Sequence, residues 1–135
     1  SNLEGKARDM SRTVAVSPLI IDGLAGGGDA QGIRDYTRAI RKATNVEFVV
    51  VFDMNGIRKS HPNEDRVGQP LVGGDEMPAL RGEEYVSFAE GTLGHSLRAF
   101  SPVFTKDGRQ VGAVVVGILL ADVETTVYEN QTIIY

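Results

Sequence analysis

Two short apolar runs constrain this chain most. Val46-Glu-Phe-Val-Val-Val-Phe-Asp53 and Val111-Gly-Ala-Val-Val-Val-Gly-Ile-Leu-Leu120 are rich in β-branched residues and nearly free of polar ones. Such side chains suit a pleated backbone. A strand that is apolar at consecutive positions needs cover on both faces, so each run is expected as a central strand between two layers. Asp53-Met-Asn-Gly56 follows the first run and Lys106-Asp-Gly-Arg109 precedes the second. Asn-Gly and Asp-Gly tips favour tight turns between antiparallel strands.

The other elements are read around this pair. Ile57 to Ser60 is expected as the return strand of the first hairpin, stopped by Pro62. Glu84 to Ala89 alternates like a strand, and a further strand carries Arg98 and ends at Pro102 or Phe104. Leu3, Ala7, Met10 and Val14 fall at helical spacing, and Pro18 breaks that helix or begins a second one reaching Leu24. Asp29, after three glycines, is placed to cap a helix over Ala30 to Thr44. The stripe of that helix is Ile33, Tyr36 or Thr37, and Ile40, which makes it a cover packed on the sheet. Asn63 to Gly74 reads as a loop with one short turn at Glu64 to Val67. Asp75 is expected to cap a short helix ending at Leu80, and Asp122 a final one through about Asn130. The fold class is therefore α+β: a five-stranded antiparallel sheet with helices on one face and a long loop over the other.

Composition narrows function by exclusion. The 135 residues are 41% hydrophobic and 24% charged, which suits one domain able to hold a core without staples. A net charge of -4 argues against a nucleic-acid binder. There is no cysteine, hence no disulfide framework or thiolate metal site. No apolar run reaches the ~18 residues of a membrane span, and Ser1-Asn2 reads as an expression scar. His61 and His95 are the only histidines, without metal-ligand spacing, and no serine sits in a Gly-x-Ser-x-Gly elbow. Gly26-Gly27-Gly28 lacks the Lys-Ser/Thr of a phosphate loop. The expectation is no enzyme activity in this chain, no cofactor and no metal.

What the pattern supports is anion binding. In Gly91-Thr-Leu-Gly-His-Ser-Leu-Arg-Ala-Phe-Ser-Pro102, strand alternation puts Ser96, Arg98 and Phe100 on one face and Leu97 and Ala99 on the other. A guanidinium flanked by a hydroxyl and an aromatic ring suits a carboxylate better than a core. Arg58 and His61 lie in a basic cluster with Lys59 and Arg66 that runs against the acidic whole. Residues three apart on a regular strand face opposite ways, so Arg58 and His61 converge only if the chain turns at Ser60-His61. A solvated basic loop is the plainer account of that cluster. Charge-assisted hydrogen bonds contribute on the order of 1.5–3 kcal/mol each, and three or four of them reach roughly micromolar affinity after ordering costs.

Phe48 to Pro70, Gly91 to Pro102 and Gln110 to Leu120 together resemble the extracytoplasmic sensor domain of citrate and C4-dicarboxylate sensor histidine kinases (CitA/DcuS type). The resemblance implies a PAS-like (PDC/Cache-type) fold: an N-terminal helical segment at 3–24, a core at 30–121, and a C-terminal helix at 122–135 leading toward a membrane span. It implies that Arg58, His61 and Arg98 hold ligand carboxylates. It further implies that Thr92, Leu93 and Ser96 add turn and strand contacts, and that Val50 and Leu71 are walls. Citrate-binding members carry a lysine two residues after the strand arginine; Phe100 stands there, which points to malate, fumarate or succinate. The implied partners are a small dicarboxylate, a membrane-anchored parent kinase and a second copy through the N-terminal helix, with no nucleic acid. Two rivals follow: a PAS-like module that only dimerises, and an amino-acid sensor using Asp53, Glu64 or Asp65 against the ligand's ammonium.

Overall fold

A computed structural model describes residues 2–26, 28–91 and 94–120. Helix α1 spans Asn2–Ala15, α2 Pro18–Leu24, α3 Ala30–Thr44 and α4 Met77–Leu80. Strands are β1 Phe48–Asp53, β2 Tyr85–Gly91, β3 Gly94–Phe104 and β4 Gln110–Leu119. Pro18 sits in the first turn of α2. The Asp29 carboxylate accepts the Gln31 N–H at 2.9 Å and caps α3. That helix ends at Asn45, whose φ of 60° is left-handed. The expected C-terminal helix lies outside the described residues.

The sheet has four antiparallel strands in the order β1-β4-β3-β2, one fewer than expected, and the α+β class holds. β4 is central. β1 is an edge, which corrects the central position expected for it. Its outer rim is covered by the segment expected as a fifth strand. Asp53 N–H reaches the Ile57 carbonyl at 3.0 Å, and Lys59 N–H reaches Val51 C=O at 2.6 Å. Then a side chain takes over: Ser60 Oγ accepts the Val51 N–H at 3.0 Å and donates to Val49 C=O at 3.3 Å. With a hydroxyl standing in for backbone, pairing shrinks to the single bridge Phe52–Arg58. The main chain of Arg58 faces the other way, to Gln69 C=O and Gly68 N–H.

Strand alternation sorts the core into two sides. Val49, Val51, Val114 and Val116 meet Val14, Ile20 and Ile33 from the helices. Leu97 and Ala99 pack with Ala7 of α1, and the Ser11 and Ser101 hydroxyls are bonded at 2.7 Å within that interface. On the opposite face Phe48, Val50, Phe52, Phe100, Ala113 and Val115 meet Leu71 from the long loop and Ala79 and Leu80 from α4.

Candidate functional site

The loop face carries a polar interruption. The register aligns Phe48, Gly117 and Arg98 in one cross-strand row and Val50, Val115, Phe100 and Tyr85 in the next. Gly117 is what makes room. A Cβ there would lie 1.8 Å from Phe48 Cζ, so the Phe48 ring lies across the glycine toward β3. The Arg98 guanidinium carbon sits 5.9 Å from the Phe48 ring centre and 5.5 Å from that of Phe100, within cation–π range of both. Phe100 stacks on Tyr85 at 4.8 Å with an interplanar angle of 12°. Ser96, Arg98 and Phe100 are all buried, and Val50, Leu71 and Phe100 share one cluster.

Arg58 is buried as well, at 2% exposure. Its Nη2 donates to the Pro70 carbonyl at 2.9 Å. Burial first, then the charges of Arg66 and Arg98, lower its pKa from the usual arginine value. Arg58 is therefore close enough to Arg98 to feel its charge. Lys59, the next residue, faces outward and pairs with Asp53 at 3.5 Å.

His61 is set differently. Its Nδ1 accepts the Asn63 N–H at 2.9 Å, which leaves the proton on Nε2 in the neutral ring. Burial, followed by the charge of Arg58, lowers its pKa to about 4. At neutral pH the ring is therefore uncharged. The residue also lines a cleft of about 100 Å³ against α3, with Arg34, Arg38, Arg41 and Lys42. Thr92 and Leu93 lie outside the described residues.

Sequence reasoning missed the acids. Asp75 does not cap α4; Glu76 holds the cap position, without a side-chain bond. The Asp75 carboxylate turns instead to Arg98, with Oδ1 at 3.3 Å from Nη1, because a buried guanidinium draws a nearby anion more strongly than an exposed helix end does. Arg98 is thus already paired with an acid of the protein. The three acids weighed for an ammonium stand elsewhere. Asp53 accepts the Asn55 and Ile57 N–H groups, Glu64 pairs with Arg38, and Asp65 follows the Asn63 cap of a short 3-10 turn. Tyr85 was read only as strand. Its hydroxyl donates to the Asp75 carbonyl and accepts the Ala79 N–H at 3.3 Å, tying the acid-bearing segment to β2. Burial is the main reason its pKa rises to about 12, so the phenol stays a donor.

One observation unites these groups. Among the described residues, every buried side-chain nitrogen or oxygen without a hydrogen-bond partner belongs to Arg58, Asp75, Glu76 or Arg98. Such atoms are few in native proteins and cost about 1–3 kcal/mol each. Their grouping on four residues, Arg58, Asp75, Glu76 and Arg98, makes these the candidate site.

Comparisons with known proteins agree in direction. Residues 1–132 match the family described as single cache domain 3. The chain is 38% identical to the Escherichia coli K12 sensor histidine kinase DcuS over 129 residues, 96% of this chain and 24% of that protein. It is 34% identical to a probable C4-dicarboxylate sensor kinase of Bacillus subtilis over 115 residues, 85% of this chain and 22% of that one. The crystal structure of the E. coli DcuS sensor domain superposes with a TM-score of 0.85 at 39% identity, covering 93% of this chain and 95% of that one. The chain spans about a quarter of the length of the curated relatives it matches.

Proposed function

Because the chain belongs to the single cache domain 3 family, as the sensor modules of C4-dicarboxylate and citrate sensor kinases do, we propose that it binds a C4-dicarboxylate between Arg58 and Arg98. The observation that carries this reading is that two buried arginines, close enough for the Arg98 charge to lower the pKa of Arg58, each keep a guanidinium nitrogen without a partner, Arg58 Nη1 and Arg98 Nε. Each arginine takes one carboxylate, and neutral His61, near enough to Arg58 for that charge to lower its pKa, joins them. Phe48, Phe100, Val50 and Leu71 exclude water, which strengthens every charge-assisted bond. Ser96, and by the family resemblance Thr92 and Leu93, add further contacts to the ligand. Phe100 is fully buried against Tyr85 and brings no cation, so a third carboxylate finds no partner. That favours malate, fumarate or succinate over citrate.

The domain runs over 1–135 and stands outside the cytoplasm on a membrane-anchored histidine kinase, with the kinase in the remainder of the parent chain. Occupancy passes from β3 to β4, its neighbour in the sheet, and on to the segment after Leu119. A ligand biases such a relay only by its differential affinity for the two states. Calorimetric titration with succinate tests the site. Wild type binds, and Arg98→Ala loses about 10²–10³ in affinity, the cost of stripping one partner from a buried charge pair. Unchanged affinity in Arg98→Ala removes β3 from the site. A dimerisation-only module predicts no thermal shift with any acid, whereas a sensor at a hundredfold excess over Kd gains about 2.7 kcal/mol.

A further inference from the structure

We propose that Asp75 is a specificity-determining residue: a carboxylate built into the chain that occupies Arg98 in the free protein and that one carboxylate of the incoming ligand must displace. This rests on the dicarboxylate reading above and adds how the protein's own acid competes for Arg98.

The Arg98–Asp75 pair is not made like a structural ion pair. A buried pair that holds a fold satisfies the guanidinium fork and the carboxylate together, with parallel hydrogen bonds. Here both side chains are mostly sequestered, at 4% and 16% exposure, and their nearest approach is 3.3 Å. Both Asp75 oxygens and Arg98 Nε nevertheless lack a hydrogen bond. Charge holds the acid in place while the bonding geometry is left over for another partner.

The segment around Asp75 permits exchange. The Tyr85 hydroxyl pins the Asp75 main chain through its carbonyl, so the side chain can swing without unravelling the segment. Gly73 and Gly74 precede it at φ of 111° and 78°, a conformation that glycine adopts at little cost. No heavy atom lies within 4 Å of where a Gly74 side chain would start, so the approach on that side is open.

Charge favours the exchange. Arg98 already faces the Asp75 carboxylate, while Arg58 stands among the positive charges of Arg66 and Arg98. A dianion added beside Asp75 crowds another carboxylate onto Arg98, whereas a dianion that replaces Asp75 there takes over its partner. Selectivity follows. A monocarboxylate at Arg98 exchanges one carboxylate for another, against a tethered rival with an effective concentration on the order of millimolar. A dicarboxylate wins because its second carboxylate gains Arg58, whose Nη1 is bare.

The test compares wild type, Asp75→Asn and Glu83→Gln by calorimetry with succinate and with propionate. If about one molecule in ten has Asp75 swung away, Asp75→Asn binds succinate about tenfold tighter. Propionate, invisible to wild type at submillimolar concentration, then binds the variant. Glu83→Gln removes the same charge from an exposed side chain that pairs with Arg81 and changes succinate affinity by no more than about threefold, a through-space effect. Equal or weaker succinate binding by Asp75→Asn overturns the proposal, and so does an equal gain in Glu83→Gln, which reduces the effect to net charge. Asp75→Ser carries the same expectation if Asp75→Asn does not fold, and loss of the fold in both makes the pair structural and overturns it. Wild type that binds no dicarboxylate overturns the sensor reading as well. Wild-type binding with an unchanged Asp75→Asn overturns only the role of Asp75.

Discussion

Gly117→Ala tests whether the aromatic wall of the site is seated as described. The new Cβ would lie 1.8, 2.1 and 2.3 Å from three carbons of the Phe48 ring. Ordinary carbon contacts are about 3.5–4.0 Å, so the ring retreats by roughly 1.5–2 Å. Phe48 is 7% exposed on the edge strand and moves outward, because β4 behind Gly117 is fixed on both sides. Re-exposing about a quarter of a buried phenylalanine, roughly 50 Å², costs about 1.2 kcal/mol. Strain in a repacked core adds about 1 kcal/mol or more, and the stiffer unfolded chain returns about 0.4–1 kcal/mol. The net loss is about 1–2.5 kcal/mol, or roughly 3–10 °C in Tm for a chain this size. Succinate affinity falls with it, since the displaced ring no longer flanks Arg98. Thermal and urea unfolding read the first effect and calorimetry the second. In a Phe48→Ala background the Gly117→Ala penalty should vanish, a coupling that a double-mutant cycle isolates. A Gly117→Ala protein that melts within 1 °C of wild type, or an equal penalty in both backgrounds, would refute the seating of Phe48 over the glycine.

Two further outcomes are expected. His61 has its folded pKa lowered to about 4 from 6.5, so the folded state disfavours its charged form. The sign follows: this stability is complete above pH 6.5 and is lost as pH falls toward 4. Its size is about 1–2 kcal/mol after screening of a partly exposed ring. His61→Gln should flatten the acid side of the Tm-versus-pH curve, and an unchanged curve contradicts the depressed value. Ser60→Ala leaves the buried Val51 N–H without its acceptor and should cost about 1–3 kcal/mol. An unshifted urea midpoint would mean that the hydroxyl does not cover the rim of β1.

Regular periodicity, local caps and long apolar runs were readable without coordinates. α3 falls on Ala30–Thr44 because Asp29 caps it locally and Ile33 and Thr37 recur on one face. The runs at Phe48 and Val111 announce strands because nothing but a covered sheet accommodates so many β-branched residues. Long-range partners were hidden. A continuous apolar run reports two covered faces and says nothing of its rims, so β1 was expected in the middle. The fifth strand dissolved because Ser60 spends its side chain where a ladder would use backbone. At the site, Ser96, Arg98 and Phe100 came from alternation alone, and Arg58 from its clash with the acidic average. Asp75 was misjudged because a helix cap is a local cue, whereas Arg98 lies far along the chain. The depressed His61 pKa depends on burial and on neighbouring arginines, which no spacing rule reports.

The bonded hydroxyls of Ser11 and Ser101 have a mechanical consequence. Around them α1 meets β3 through Ala7, Leu97 and Ala99, a smooth contact along which a helix could glide. The serine pair acts as an index pin on that track. Advancing α1 by one turn, about 5.4 Å, would carry Ser11 past its mate and strand the Ser101 hydroxyl among hydrocarbon, at about 1–3 kcal/mol. The helix and the arginine-bearing strand therefore resist sliding past one another, and any displacement of β3 would reach α1 as a tilt of the whole rod instead of a slide along it.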